Sequence, residues 1–291
     1  MKYRVTHSTE FDYDAPVGLC YNEARLRPRD LSRQQVRSSV LRIDPPPQDI
    51  YERVDYFGNR TTYFSIQQLH AKMLVTAVSE LQVSEPNPDN HQVRPGWEEV
   101  RDALRLANTP ELVEASQFTL DSPMVHADHL LAAYAQPSFP GQRSLTDAVH
   151  DLMQRIFRDF KYDPEFSSLA TPLKDVLEHR SGVCQDFAHL AIGCLRSQGL
   201  AARYVSGYLE TQPPPGQPRL VGADASHAWF SVFVPGLGWV DYDPTNNQLP
   251  GEKYVTAAWG RDYADVTPLK GVAYGGGEHL LKVSVDVEQI G

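Results

Sequence analysis

Three side chains far apart in the chain could do chemistry together: Cys184, His227 and Asp243. Cys184 follows Arg180-Ser181-Gly182-Val183 and precedes Gln185-Asp186-Phe187-Ala188, so a glycine-containing turn delivers it to the first turn of a helix. A helix N-terminus carries partial positive charge and unpaired backbone N–H groups. Both stabilise a thiolate, and the same N–H groups suit the negative oxygen of a tetrahedral intermediate. The competing reading is a buried structural cysteine, the usual fate of a free thiol. That reading fits Cys194, which lies mid-helix among apolar residues, and Cys20.

A thiol nucleophile needs a base, and the base needs an orienting group. Among the ten histidines, His227 opens the aromatic strand Ser226-His227-Ala228-Trp229-Phe230-Ser231-Val232. Alternation puts His227 and Trp229 on one face and Ala228 and Phe230 on the other. The turn Pro235-Gly236-Leu237-Gly238 then leads into Trp239-Val240-Asp241-Tyr242-Asp243-Pro244, so the two strands form a hairpin. Its geometry brings the region of residue 243 opposite the His227 end. A carboxylate there can fix the imidazole tautomer. Asp241 shares a face with Asp243, and spacing alone does not decide between them. Taken singly, His227 is also readable as a satisfied strand histidine and Asp243 as a turn aspartate before proline.

These residues need elements to carry them. The first 85 residues alternate between apolar and polar in short runs, with turn signals at Asp14-Ala15-Pro16, Pro45-Pro46-Pro47 and Phe57-Gly58-Asn59-Arg60. This predicts an antiparallel sheet, built as a sandwich. Two prolines at 86 and 88 predict a linker over 85–90. Helical spacing follows over 97–135, including 125–134, and Ser144 is placed to cap a helix whose apolar face is Val149, Leu152, Met153, Ile156 and Phe157. A loop over 162–170 precedes a helix opened by Thr171-Pro172. The Cys184 helix runs to Gln198 with an apolar stripe of Phe187, Ala188, Ala191, Ile192 and Leu195. Strands are predicted near 202–208, 225–234, 238–242, 254–258 and 280–287. The second half thus reads as helices followed by an antiparallel sheet, an α+β layout.

Composition excludes several classes. The 291 residues carry 27 basic and 37 acidic side chains, a net charge of -10, which argues against nucleic acid or an anionic membrane surface as partner. Three cysteines make no disulfide framework and point to a reducing, cytoplasmic setting. No apolar leader or membrane-spanning run is seen. His126 and His129 stand three apart without a supporting carboxylate or cysteine, so no metal is expected. The glycines at 275–277 do not join a strand to a helix, and no dinucleotide or other cofactor is called for.

The segments SGVCQDFAHLAIGCLRSQGLAARYVSGY, ASHAWFSVFVPGLGWVDYDPTNN and GRDYADVTPLKGVAYGGGEHLLKVSV, with YRVTHSTEFDYDAPV and NEARLRPR near the start, resemble the bacterial transglutaminase-like family of cysteine enzymes. The resemblance implies a papain-like α+β core with nucleophile Cys184, base His227 and orienting acid Asp243. It divides the chain into an N-terminal β domain over 1–88, a helical connection over 89–143 and a catalytic core with C-terminal strands over 144–291. It further implies hydrolysis of a peptide or protein amide through a thioester. Acyl transfer to an amine and a non-catalytic binding module are the alternatives. Animal transglutaminases carry Trp after the cysteine where this chain has Gln185, and the chain shows no EF-hand pattern, which sets calcium-dependent crosslinking apart from this reading. Gln185, Asp186, Tyr162, Tyr208 and Trp229 are candidates for the substrate cleft or an oxyanion contact, against roles in packing or, for Asp186, in the helix dipole. The sequence leaves the oligomeric state open.

Overall fold

The computed structural model describes residues 1–85, 94–166, 171–210 and 226–291. The chain begins with strands β1 (Lys2–Ala24), β2 (Gln34–Asp44), β3 (Asp49–Val54), β4 (Arg60–Ile66) and β5 (His70–Val83). Helices α1 (Trp97–Leu106), α2 (Pro110–Ser116), α3 (His129–Ala135) and α4 (Leu145–Asp159) follow. The segment β6 (Lys161–Tyr162), α5 (Leu173–His179) and β7 (Ser181–Gly182) leads into α6 (Cys184–Ser197). Then come β8 (Ala202–Leu209), β9 (Ser226–Val234), β10 (Gly238–Tyr242), β11 (Tyr254–Gly260), α7 (Tyr263–Val266), β12 (Leu269–Gly275) and β13 (His279–Gln289). Of the predicted linker over 85–90, residues 86–90 lie outside the described residues, as do 167–170 of the predicted loop and residue 225 of the predicted strand.

Period-two burial shapes the first sheet. In β1, Tyr3, Val5, His7 and Thr9 are buried while Arg4 and Lys2 are exposed. This strand is shared between two sets of partners. Its first half lies between β5 and β13, its second half between β4 and β12, and β2 and β3 extend the two runs beyond β5 and β4. Phe64 and Ile66 from one run meet Met73, Val75 and Ala77 from the other around Val17 and Cys20. The two runs therefore enclose one core, a sandwich that hinges on a single strand. Asp14-Ala15-Pro16, predicted as a turn, instead lies inside β1, where the pairing with β5 shifts register between Asp12 and Val17. A bulge is where a strand tolerates proline, which has no N–H to give the ladder.

The second sheet has the order β10-β9-β8-β11. Helix α6 lies on one face of it: Phe187, Ala188, Ala191 and Leu195 share a core with Tyr204, Ala228, Phe230 and Val232. A second cluster joins this sheet to the first, where Tyr3, Val5, Leu81 and Val83 pack on Tyr208, Val255 and Ala257. The predicted division placed the last strands with the core at 144–291. The hydrogen bonds differ, since β12 and β13 both pair with β1 and complete the N-terminal sheet.

Local rules account for the helix starts. Ser144 accepts from the Asp147 amide at 3.2 Å and caps α4. Helix α3 starts later than its apolar spacing suggested, because Asp128 caps it by accepting from the Leu131 amide at 2.9 Å. On α4, Leu145, Val149, Leu152, Met153 and Ile156 are buried, but Phe157 is 49% exposed rather than part of the inner face. Among the described residues, no helix is long and apolar enough to cross a membrane.

Candidate active site

Cys184 is the first residue of α6, as the turn signal predicted, and the turn is braced by its neighbours. Asp186 accepts from the Val183 amide at 2.8 Å, a first-turn brace for the helix. Gly182 is required by close approach: a Cβ there would come within 2.9 Å of the Asp186 Cβ. Gly182 also pairs in parallel with Tyr162, which brings that half-exposed ring beside the turn. Burial and then the charge of Cys184 raise the Tyr162 phenol pKa, so the two side chains feel one another.

His227 sits near the start of β9, opposite Gly207 of β8. Its Nε2 hydrogen-bonds Asp243 Oδ2 at 2.8 Å. The face that carries it is set by alternation as predicted, with Trp229 behind the imidazole at 6.1 Å between ring centroids and Ala228 and Phe230 turned into the α6 core. The imidazole side chain is only 10% exposed. Burial alone would lower its pKa, but hydrogen bonding to Asp243 and to Cys184, with the charges of both, raises it to about 10. Cys184 thus lies near enough for its charge to act on the ring. Such a nucleophile–base contact is commonly loose before substrate tightens it.

Asp243 is fully buried and heavily bonded. Its Oδ2 also accepts from Asn246 Nδ2 at 2.7 Å and from the Tyr254 hydroxyl at 2.8 Å, while its Oδ1 accepts from the backbone amides of Thr245 and Asn246 at 2.9 and 3.3 Å. Burial pushes the Asp243 pKa up, but the hydrogen bond and charge of His227, with the bonds from Asn246 and Tyr254, hold it below its ordinary value. Asp241, the alternative acid, is occupied elsewhere. It accepts from Ser231 Oγ and from Arg33 at 3.1 Å.

The remaining sequence candidates separate cleanly. Tyr162 and Gln185 stay beside Cys184, with Gln185 buried in the first turn of α6. Trp229 is fully buried and lines no open cleft. Tyr208 is buried at the junction of the two sheets, where its hydroxyl meets His7 Nδ1 at 3.1 Å. His189, on α6, turns inward and accepts from the Tyr263 amide at 3.1 Å. Cys194 is buried and its thiol pKa is pushed up to about 12 by that burial, whereas Cys184 is only partly buried. Tyr254 and Asn246 were not singled out from the sequence. Asn246 stands three residues after Asp243 in a loop and could have been noticed, while Tyr254 comes from β11 and is brought in only by the sheet.

Residues 3–82 match the bacterial transglutaminase-like N-terminal region, and residues 132–244 match the transglutaminase-like superfamily, spanning Cys184, His227 and Asp243. An uncharacterized protein of Mycobacterium tuberculosis (strain H37Rv) is 43% identical over 98% of this chain and 92% of its own length. The chain belongs to the transglutaminase-like superfamily. A second relative of this transglutaminase-like protein, an uncharacterized protein of Mycobacterium leprae, is 31% identical over 99% of both chains. The fold agrees with the crystal structure of a "Putative Cysteine Protease from Cytophaga hutchinsonii", with a TM-score of 0.75 at 18% identity over 100% of this chain and 92% of that one. Membership in the transglutaminase-like superfamily supports a cysteine-based enzyme of this class.

Proposed function

We propose that the protein is a cysteine-dependent amide hydrolase in which Cys184, His227 and Asp243 act as nucleophile, proton carrier and orienting acid. The observation that carries this reading is the imidazole of His227, bonded to a buried carboxylate and held protonated in part by Cys184, whose sulfur stands at a helix N-terminus. The Cys184 thiolate adds to the amide carbonyl carbon, and the helix N-terminal N–H groups hold the oxyanion. The C–N bond breaks as His227 gives its proton to the leaving amine, which leaves a thioester on Cys184. Water then adds to the thioester while His227 takes its proton. The acid departs and the thiolate returns. Asp243 stays ionised throughout and fixes the ring.

A second reading replaces water by an amine. It is favoured by one relative, the "Protein-glutamine gamma-glutamyltransferase" of Pseudomonas aeruginosa, 33% identical over 43% of this chain and 18% of its own length. The first test is iodoacetamide labelling across pH. Cys184 should react faster at neutral pH than an ordinary thiol and faster than Cys20 or Cys194, and His227→Ala should remove that advantage. A Cys184 no more reactive than a free thiol overturns both readings. Mass spectrometry of products formed from a glutamine-containing peptide, with and without added primary amine, separates acid release from amine transfer.

A further inference from the structure

A second site lies away from Cys184, at the end of the catalytic sheet that carries the β9–β10 turn. There a cavity of about 670 Å³ is lined by Arg29, Arg203, Trp239, Trp259, Phe57 and Phe118, among others. Arg203 stands opposite Ser231 in register, whereas His227 stands opposite Gly207. Four residues of strand separate the two positions, about 13 Å.

Arg203 is 7% exposed. Among the described residues it makes no hydrogen bond and no ion pair, and its Nε is enclosed without a partner. Its closest groups are aromatic faces, while the carboxylates of Asp241 and Glu114 act on its charge without bonding its N–H groups. The guanidinium lies 3.6 Å from the Trp259 ring centroid and 4.3 Å from that of Trp239. Arg29 stacks on the same Trp259 at 3.5 Å; its Nη1 donates to the Phe57 carbonyl and to Asn59 Oδ1, and its Nε is buried and unpartnered. Burial lowers the pKa of Arg203 to about 9 and of Arg29 to about 10, which leaves both charged at neutral pH.

Stacking on aromatic faces offsets part of the desolvation of a guanidinium but gives its N–H groups no acceptor. A buried charge without a partner is costly, and folds rarely keep one unless something pairs with it. The matching partner for a planar fork of donors is a carboxylate, held by two parallel hydrogen bonds. The cavity rim carries Glu111 and Glu114, both exposed, which disfavours a multiply charged anion. The tryptophan and phenylalanine rings favour a flat body behind the acid group.

We infer that this cavity is a binding site for a small monocarboxylate on a flat, aromatic body, with its carboxylate paired to Arg203 and its ring against the tryptophan–phenylalanine wall. The site adds to the proposed amide chemistry and does not depend on it. The test is titration of the whole protein with sodium benzoate, benzamide and inorganic phosphate, read by tryptophan fluorescence and thermal shift. Benzoate should give a saturable response in the millimolar range or tighter, with benzamide at least about tenfold weaker, since only the carboxylate pairs with the fork. Arg203→Met should lose at least about tenfold in benzoate affinity while the alkylation rate of Cys184 stays unchanged. Should that variant not fold, Arg29→Gln serves instead and should weaken benzoate binding in the same sense. Equal binding of benzoate and benzamide, no saturable benzoate response, or tighter binding of phosphate than of benzoate would each overturn the assignment.

Discussion

Asp243 gathers three side-chain donors on one oxygen, and this makes its protonation the sensitive point of the site. Its folded pKa is depressed, so its contribution to stability is present above the unfolded value and is lost as pH falls through the folded one. Tyr254→Phe removes one of the bonds that depress it. Acid unfolding of that variant should therefore begin at a higher pH than in wild type, with about 1–2 kcal/mol lost near neutrality, measured by urea melts across pH. His227 runs the other way. Its folded pKa is raised to about 10, so its stabilisation is full below the unfolded value near 6.5 and fades as pH rises through 10. The stability difference between wild type and His227→Gln should shrink over that alkaline window. Asp243→Asn should lower the His227 pKa by at least about one unit, read from its NMR titration, because it removes the charge that offsets burial. The three principal residues were legible from the sequence because each stands on a local signal: a glycine turn into a helix, a strand start, a residue before proline. Spacing alone did not choose Asp243 over Asp241, since alternation puts both on one face; the family resemblance did. In the structure Arg33, from the N-terminal region, and Ser231 donate to Asp241, while His227 is bonded to Asp243.

At the scale of elements, the site depends on how closely β8, β9 and β11 approach. Gly207, opposite His227, has no room for a side chain: a Cβ would overlap the Val255 carbonyl oxygen and reach the Trp229 ring at 2.6 Å. Gly207→Ala should cost about 1–3 kcal/mol and lower the Tm by several degrees in calorimetry, with slower Cys184 alkylation because β9 must shift. Strands with strong alternation or β-branched runs, such as β5 and β9, were visible in the sequence. Strands β3 and β12 were not. The segment LKGVAYG of β12 holds two glycines, and DIYERV of β3 sits at the sheet border with nearly every residue exposed, so neither carries an amphipathic pattern. Both form because β4 and β1 offer them a free edge, which is information held by their partners. The missing first turn of α3 has a similar cause, since the Asp128 cap outweighs apolar spacing that would have begun earlier.

For the molecule as a whole, the transglutaminase-like core is clamped between the start and finish of the chain. The first sheet packs on β8 and β11 through Tyr3, Leu81, Tyr208 and Val255, and its last two strands come from beyond the core. Removing residues 269–291 would strip β1 of one neighbour along most of its length and bare a long edge of unpaired backbone groups. That truncation should give aggregated protein, seen by size-exclusion chromatography, rather than a separately folded core. Because β1 is made long before β13, a nascent chain emerging from the ribosome holds this strand half-satisfied until residues 279–289 have also emerged. The N-terminal sheet can then seal only after the cysteine-bearing helix has already emerged, so the order of synthesis favours a core that forms early and a sandwich that closes around it late.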